Sequence, residues 1–118
     1  GAVRVGQGND WNTGVFVQNS GSVAGARTDI LVENNVMSGN VGFGFSGYTV
    51  NGPNSVICAR IVNNTGTNTA HKLSQNGGLV LSPATTSPGG GTFNLEPSSG
   101  TFTTFGTINN VPLGTCAY

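Results

Sequence analysis

The repeated ending of short aliphatic runs in two asparagines is the feature that most constrains how this chain can fold. The pairs are Asn34-Asn35, Asn63-Asn64 and Asn109-Asn110, and the first two stand 29 residues apart. Asparagine tolerates left-handed backbone angles, and its side-chain amide can hydrogen-bond to the backbone of a turn. Bends of this kind that stack on one another can also join their amides in a ladder. The pattern therefore predicts a chain that bends at intervals and stacks on itself.

Frequent glycine and the lack of helical periodicity argue against a helical fold. The chain has 20 glycines among 118 residues, and residues 69–75 are its best candidate for a helical turn. Runs rich in β-branched and aromatic residues, separated by Gly, Asn, Ser and Pro, are typical of strands. We therefore expect an all-β chain. The predicted strands are 2–5, 14–18, 29–33, 42–46, 56–62, 78–81, 92–95 and 101–108.

Two all-β architectures fit these strands within one predicted domain over residues 1–118. A β-sandwich or jelly roll pairs its strands into two sheets through hairpins. A β-solenoid winds the chain so that each coil stacks on the previous one. The asparagine repeat favours the solenoid, with coil-like repeats over about 14–68 and a less regular part over 78–118. The sandwich or jelly roll is the alternative.

Two stretches resemble known β-helical proteins. TDILVENNVMSGNVGFGFSG (28–47) and ICARIVNNTGTN (57–68) are similar to coils of the right-handed parallel β-helix superfamily, the pectate-lyase-like fold. The tail GTFNLEPSSGTFTTFGTINNVPLGTCAY (91–118) resembles the C-terminal ends of repetitive β-helical proteins on bacterial surfaces. The resemblance implies a right-handed parallel β-helix of a few coils. That superfamily contains polysaccharide lyases and hydrolases, phage tailspikes and adhesins, so the resemblance implies a fold more than an activity.

The two cysteines, Cys58 and Cys116, bear on the cellular compartment. No CxxC or Cys/His cluster accompanies them, so we predict no zinc site. Distant cysteines in a chain rich in Gly, Asn and Thr suggest a disulfide formed in an oxidising compartment, and two separate buried thiols are the alternative. A disulfide here would close a loop of nearly half the chain, worth about 4 kcal/mol in the chain-entropy model. We therefore expect an extracellular or cell-surface location.

The sequence offers little to a catalytic site. Its four carboxylates are Asp10, Asp29, Glu33 and Glu96. Asp29 and Glu33 share a strand face but stand about 13 Å apart, whereas paired catalytic carboxylates lie within about 5–9.5 Å. The one histidine, His71, has no triad motif around it and is predicted to lie in a loop. We predict no enzyme activity, no metal and no cofactor.

The loop GNDWNTG suggests a weak glycan-binding site. Trp11 lies there outside any predicted strand, where an indole can stack on a sugar ring. Asp10 and Asn12 flank it and can hydrogen-bond to the sugar hydroxyls. Packing of Trp11 over the first coil as an end cap is the simpler interpretation, and we favour it.

Charge limits the partners of this chain. It has four basic and four acidic residues and a net charge of zero, so no basic patch exists for nucleic acid. No apolar run approaches the roughly 20 residues of a membrane span. We expect a non-enzymatic extracellular structural or adhesive module, a segment of a surface β-helix protein or a self-assembling fibre subunit. It would contact copies of itself or neighbouring segments through strand edges. The alternative is a carbohydrate-binding or polysaccharide-degrading β-helix fragment.

Overall fold

The computed structural model describes residues 2–4, 15–20, 27–38, 43–50, 55–67, 69–75 and 91–118, and all that follows concerns those residues. Every helix or strand element among them is a β-strand, which confirms the all-β class. The ten strands are β1 Ala2–Arg4, β2 Val15–Ser20, β3 Arg27–Glu33, β4 Val36–Ser38, β5 Phe45–Val50, β6 Val56–Val62, β7 Ala70–Ser74, β8 Thr92–Leu95, β9 Thr101–Phe105 and β10 Ile108–Asn110.

The described strands form three sheets, and all their pairings are parallel. Sheet I has the order β2-β5-β7-β9, and sheet II has the order β10-β8-β6-β3. A short sheet pairs β1 with β4, and a parallel bridge from Val36 to Thr65 extends it. A β-sandwich or jelly roll is built from antiparallel strands. The described pairings are therefore not those of the alternative architecture.

The chain visits the three sheets in one repeated order. It runs through β1, β2 and β3, each in a different sheet, and then through β4, β5 and β6 in the same order. Thr65, β7 and β8 follow that order again, and β9 and β10 add a last strand to each large sheet. Up to β8, each parallel return to a sheet thus passes through both other sheets, which stacks the strands in layers.

The apolar core lies between sheets I and II. Side chains alternate along a strand, so Ile57, Ala59 and Ile61 of β6 point inward and are fully buried. From sheet I, the fully buried Phe45 packs into the same cluster. A Cβ atom at Gly47 would lie 2.8 Å from the Phe45 ring, so only glycine leaves room for that ring. Further members of the cluster are Val32, Met37, Leu73, Phe93 and Leu95.

The first two asparagine pairs form the predicted bends. Asn34 and Asn63 have φ angles of 58° and 56°, in the left-handed region that asparagine tolerates. The Nδ2 of Asn35 donates to the Oδ1 of Asn64 at 3.1 Å. Asn64 in turn donates from Nδ2 to the carbonyl of Val32 at 3.0 Å. The amide ladder between these two bends is thus present as predicted.

The third pair does not form such a bend. Asn109 and Asn110 lie within β10, opposite Asn94 and Leu95 of β8. The Nδ2 of Asn109 donates to the Oδ1 of Asn94 at 3.2 Å, so an amide contact exists, but between strands. The predicted bend was wrong because Asn94 and Leu95 pair in turn with Cys58 and Ala59, in the middle of β6. The third pair is therefore aligned with the middle of a strand, whereas Asn63 and Asn64 follow the end of β6.

Residues 69–75, the best candidate for a helical turn, contain strand β7 instead. β7 lies between β5 and β9, and His71 is opposite both Phe45 and Phe102. Pairing on both sides overrides a weak local preference for helix. The predicted strand at 42–46 begins later, at Phe45. The predicted strand at 78–81 lies outside the described residues.

Candidate functional site

The outer face of sheet II carries a row of side chains that are in register across all four strands. Asp29 of β3 is opposite Cys58 of β6, Cys58 is opposite Asn94 of β8, and Asn94 is opposite Asn109 of β10. Cys58 has no exposed surface even though its neighbours Ile57 and Ala59 fill the inward positions. The residues that cover it are the last eight of the chain, here named the C-terminal strap (residues 111–118).

The C-terminal strap crosses the strands of sheet II and is fixed at several points. The amide of Val111 donates to the carbonyl of Leu95 at 3.0 Å. Cys116 is bonded to Cys58, with their Cα atoms 5.3 Å apart, and no free cysteine is present. The amide of Ala117 reaches Oδ1 of Asp29 at 2.8 Å. The two cysteines therefore form the disulfide, and separate thiols, the alternative, are not observed.

Glu96 is the polar anchor of the strap and is only 1% exposed. Its Oε2 accepts hydrogen bonds from the amides of Gly114 and Cys116, both at 2.8 Å. The hydroxyl of Tyr118 donates to Oε1. Gly114 has a φ of 95°, a left-handed conformation typical of concave anion-binding turns. The Tyr118 hydroxyl, followed by the strap amides, lowers the pKa of the Glu96 carboxyl, so Glu96 is a buried anion.

The other described carboxylates also face donors or cations. Asp29 forms a two-point ion pair with Arg27, Nε to Oδ2 at 2.7 Å and Nη2 to Oδ1 at 2.8 Å. That hydrogen bonding, with a further contribution from the amide of Ala117, lowers the pKa of the Asp29 carboxyl. Glu33 lies 3.9 Å from Arg60. A general acid needs a carboxyl whose pKa is raised toward the working pH. The lowered pKa values of Asp29 and Glu96 are the opposite of that requirement.

One group of potential metal ligands occurs among the described residues. The ligand atoms of Asp29, Cys58 and Cys116 lie within 4.8 Å of one another. Metals bind cysteine as the thiolate, and both of these sulfurs are already joined to each other. The carboxylate of Asp29 is held by Arg27 and the strap. We therefore interpret the cluster as the fixing point of the strap.

His71 is buried within strand β7, so its predicted place in a loop was wrong. Its Nδ1 accepts a hydrogen bond from the amide of Phe45 at 3.1 Å, while Nε2 has no partner among the described residues. Its ring lies 5.3 Å from that of Phe102. Burial lowers the pKa of His71 to about 4, so the ring is neutral at physiological pH.

Lys72, the neighbour of His71, is also buried, at 8% exposed. Its Nζ lies 5.5 Å from the centroid of the Phe43 ring and 5.2 Å from that of Phe105. A cation over an aromatic face is attracted by the ring quadrupole, which helps to keep a lysine in a poorly hydrated place. No local sequence pattern marks this group, because its members are far apart along the chain.

The last strand of sheet I presents the other notable surface. β9 pairs with β7 on one side, and no described strand lies on its other side. Thr101, Thr103 and Thr104 are exposed, and Phe105 is 45% exposed. Residues 101–110 contain no charge and no proline. This strand therefore lacks charged side chains and proline, two of the devices by which proteins discourage strand addition.

The predicted glycan site stays a prediction, since Asp10, Trp11 and Asn12 all lie outside the described residues. The sequence does not predict the contacts of two residues: Glu96, one of the four carboxylates considered for catalysis, and its partner Tyr118. No local motif marks either of them, because their contacts arise only when the strap folds over sheet II.

Comparison with known proteins identifies no relative, because no family model, no curated protein and no solved structure matches the chain. The resemblance to the pectate-lyase-like superfamily therefore stays a prediction. Within the described residues there is also no helix that is both long enough and apolar enough to cross a membrane.

Proposed function

We propose that this chain is a non-enzymatic structural or adhesive module with the architecture of a right-handed parallel β-helix of a few coils. The observation that carries this proposal is the repeated visiting order of three parallel sheets. Parallel strands joined by crossovers are right-handed in the great majority of cases, which supports that hand. A segment of a surface β-helix protein, or a subunit of a self-assembling fibre, fits this architecture.

The chemistry of the outer surface supports a role in contact more than in catalysis. The described carboxylates are engaged by arginines or by the C-terminal strap, and the pKa values of two of them are lowered. Exposed side chains at the end of sheet I are hydroxyls and a phenylalanine. Such a surface can bind a neighbouring strand or a neutral partner, but it offers no acid and base pair to a glycosidic bond.

The disulfide supports an extracellular or cell-surface location. Bonds between cysteines persist in oxidising compartments and are rare in the cytosol. The Cys58–Cys116 bond joins the strap to a central strand and is shielded by both. We infer that the module folds, or is used, outside the reducing cytosol.

The test is a search for depolymerase activity. The protein is incubated with neutral and acidic polysaccharides from acid to neutral pH, and reducing ends and unsaturated products are measured. We expect no product above a heat-unfolded control. Product formation that is lost in a folded Asp29→Asn variant would contradict the proposal and favour the polysaccharide-degrading alternative.

A further inference from the structure

Only alternate residues of β9 direct their backbone N–H and C=O groups toward the open edge of the sheet. The amide of Thr101 donates to the carbonyl of Thr69 at 3.3 Å, and the amide of Gln75 donates to the carbonyl of Phe105 at 2.9 Å. Backbone groups alternate in direction along a strand, so Thr101, Thr103 and Phe105 face β7. The N–H and C=O groups of Phe102 and Thr104 therefore point away from the sheet, toward the open side.

We propose that a second copy of this chain adds to β9 as an antiparallel strand, with a two-fold axis at Thr103. This inference rests on the proposed role as a structural module that contacts neighbours through its strand edges. In an antiparallel pair, two opposite residues can exchange both of their backbone hydrogen bonds. A two-fold axis at Thr103 places Phe102 of each copy opposite Thr104 of the other copy. All four residues whose backbone groups point outward, two from each copy, are then paired.

Other registers satisfy fewer groups. If Phe102 lay opposite Phe102 of the second copy, Thr104 on each chain would have no described partner residue in β9. The same holds in reverse if Thr104 lay opposite Thr104. A contact of this kind uses the same surface on both copies and closes on itself, as in most protein dimers. The backbone directions thus select one register.

Side chains in that register are complementary. On the outer face, Thr101 lies opposite Phe105 of the second copy and Thr103 lies opposite its own equivalent. On the inner face, Phe102 lies opposite Thr104. Pairs of an aromatic and a β-branched residue are favourable across antiparallel strands, whereas like charges are unfavourable. Because residues 101–110 carry no charge, two copies meet without charge repulsion between these segments.

Cross-linking tests the register directly. In a non-hydrogen-bonded antiparallel pair the Cα atoms are about 4.5 Å apart, within the range that a disulfide spans. We expect Thr103→Cys to form an intermolecular disulfide under mild oxidation while Cys58–Cys116 is kept. Thr101→Cys is the matched control: it is equally an exposed threonine of β9, but the two copies of position 101 would be about 13 Å apart.

A second variant measures the contact in solution. Thr103→Lys places two positive charges beside each other on the two-fold axis. We therefore expect the dissociation constant of the dimer, measured by sedimentation, to rise about tenfold or more. Thr65→Lys, at an exposed threonine bridged to Val36 of the short sheet, should leave the dimer unchanged. Circular dichroism checks that both variants are folded.

The outcomes separate this inference from the proposed function. Dimers that cross-link through position 103 and are weakened by Thr103→Lys support the two-fold contact. Cross-linking that is equal at positions 101 and 103, or association that Thr103→Lys does not change, overturns it, yet leaves a module that uses another edge. A protein that stays monomeric at millimolar concentration also overturns it. The proposed function, in contrast, is contradicted by depolymerase activity and not by the absence of this dimer.

Discussion

The outer face of sheet II and the edge of sheet I differ in how they are completed. On sheet II, the C-terminal strap covers Cys58 and is held by a disulfide and by the buried carboxylate of Glu96. On sheet I, β9 keeps exposed hydroxyls and two residues whose backbone groups point outward. The disulfide and the buried carboxylate thus stabilise a sheet face whose strands already pair with one another. Among the described residues, no strand or strap covers the uncharged edge of β9.

The difference suggests a division of roles. A covered face adds stability, because the disulfide limits the unfolded chain and the buried carboxylate needs its hydrogen bonds. An uncovered edge adds none, but it offers backbone groups to another strand. Perturbing one region should therefore change stability, while perturbing the other should change association.

Removal of the disulfide should have the largest effect on the covered face. The double variant Cys58→Ala/Cys116→Ala loses the closure of a loop with a sequence separation of 58, worth about 4 kcal/mol in the chain-entropy model. We expect urea unfolding to report a loss of that order, and reduction of the native protein should give a similar loss. A loss below about 1 kcal/mol would mean that the strap holds the fold without its covalent bond.

Lowering the pH should reduce the free energy of unfolding in two separate pH ranges, one for each region. His71, in the strand beside β9, has a pKa of about 4 in the folded protein, against 6.5 for an ordinary histidine. Between these pH values the unfolded state binds the proton and the folded state does not, so the free energy of unfolding falls as the pH is lowered through this window. One pKa unit corresponds to about 1.4 kcal/mol, so we expect this lowering to give a loss on the order of 3 kcal/mol by pH 4.

The strap should respond only at lower pH. Glu96 and Asp29 have lowered pKa values in the folded protein. Their contribution to the free energy of unfolding is therefore fully present above the ordinary pKa values of these carboxyls, and it is lost as the pH falls through the folded pKa values.

The control for the His71 window is His71→Asn, which keeps a hydrogen-bond acceptor near the position of Nδ1 but does not titrate. An unchanged slope in this variant between pH 6.5 and 4 would show that another group is responsible.

The charge of Glu96 should matter more than that of Glu33. Glu96→Gln keeps the shape of the side chain but turns its NH₂ group toward amides that already donate. We expect the melting temperature to fall by roughly several degrees. Glu33→Gln, the control, removes an ion pair 3.9 Å long at the surface, and such pairs contribute little. Equal effects in the two variants would contradict the assignment of Glu96 as the anchor.

The smallest effect is expected at the amide ladder, which lies in neither region. Asn64→Ala removes the hydrogen bonds to Asn35 and to the carbonyl of Val32, at a cost of about 1 kcal/mol. Asn109→Ala removes only an exposed amide contact to Asn94 and should cost less. Thermal unfolding of both variants measures the difference, and a greater loss for Asn109→Ala would be inconsistent with a ladder at the bends.

Local properties explain what could be predicted from the sequence. The bends at Asn34 and Asn63 were predictable because the left-handed preference of asparagine and the reach of its amide depend on the residue itself. The disulfide was predictable as one of two outcomes because the chain has only two cysteines. The all-β class followed from composition and short apolar runs.

The rest depends on contacts between distant residues. β7 was missed because nothing in residues 69–75 marks a strand until β5 and β9 pair with it. Glu96 and Tyr118 were missed as a pair because the strap must first fold across sheet II. The open edge of β9 could not be predicted either, since it depends on which strand comes last in sheet I.

The contrast between the covered face and the open edge is tested most directly by amide hydrogen exchange resolved to single residues. At low concentration, we predict slow exchange at Thr103 and Phe105, which face β7, and fast exchange at Phe102 and Thr104, which face the open side. At high concentration the amides of Phe102 and Thr104 should become protected, while the amide of Cys116, which belongs to the strap and donates to Glu96, stays protected throughout. Slow exchange at Phe102 and Thr104 at the lowest concentration would show that the edge is already covered, and would contradict the account.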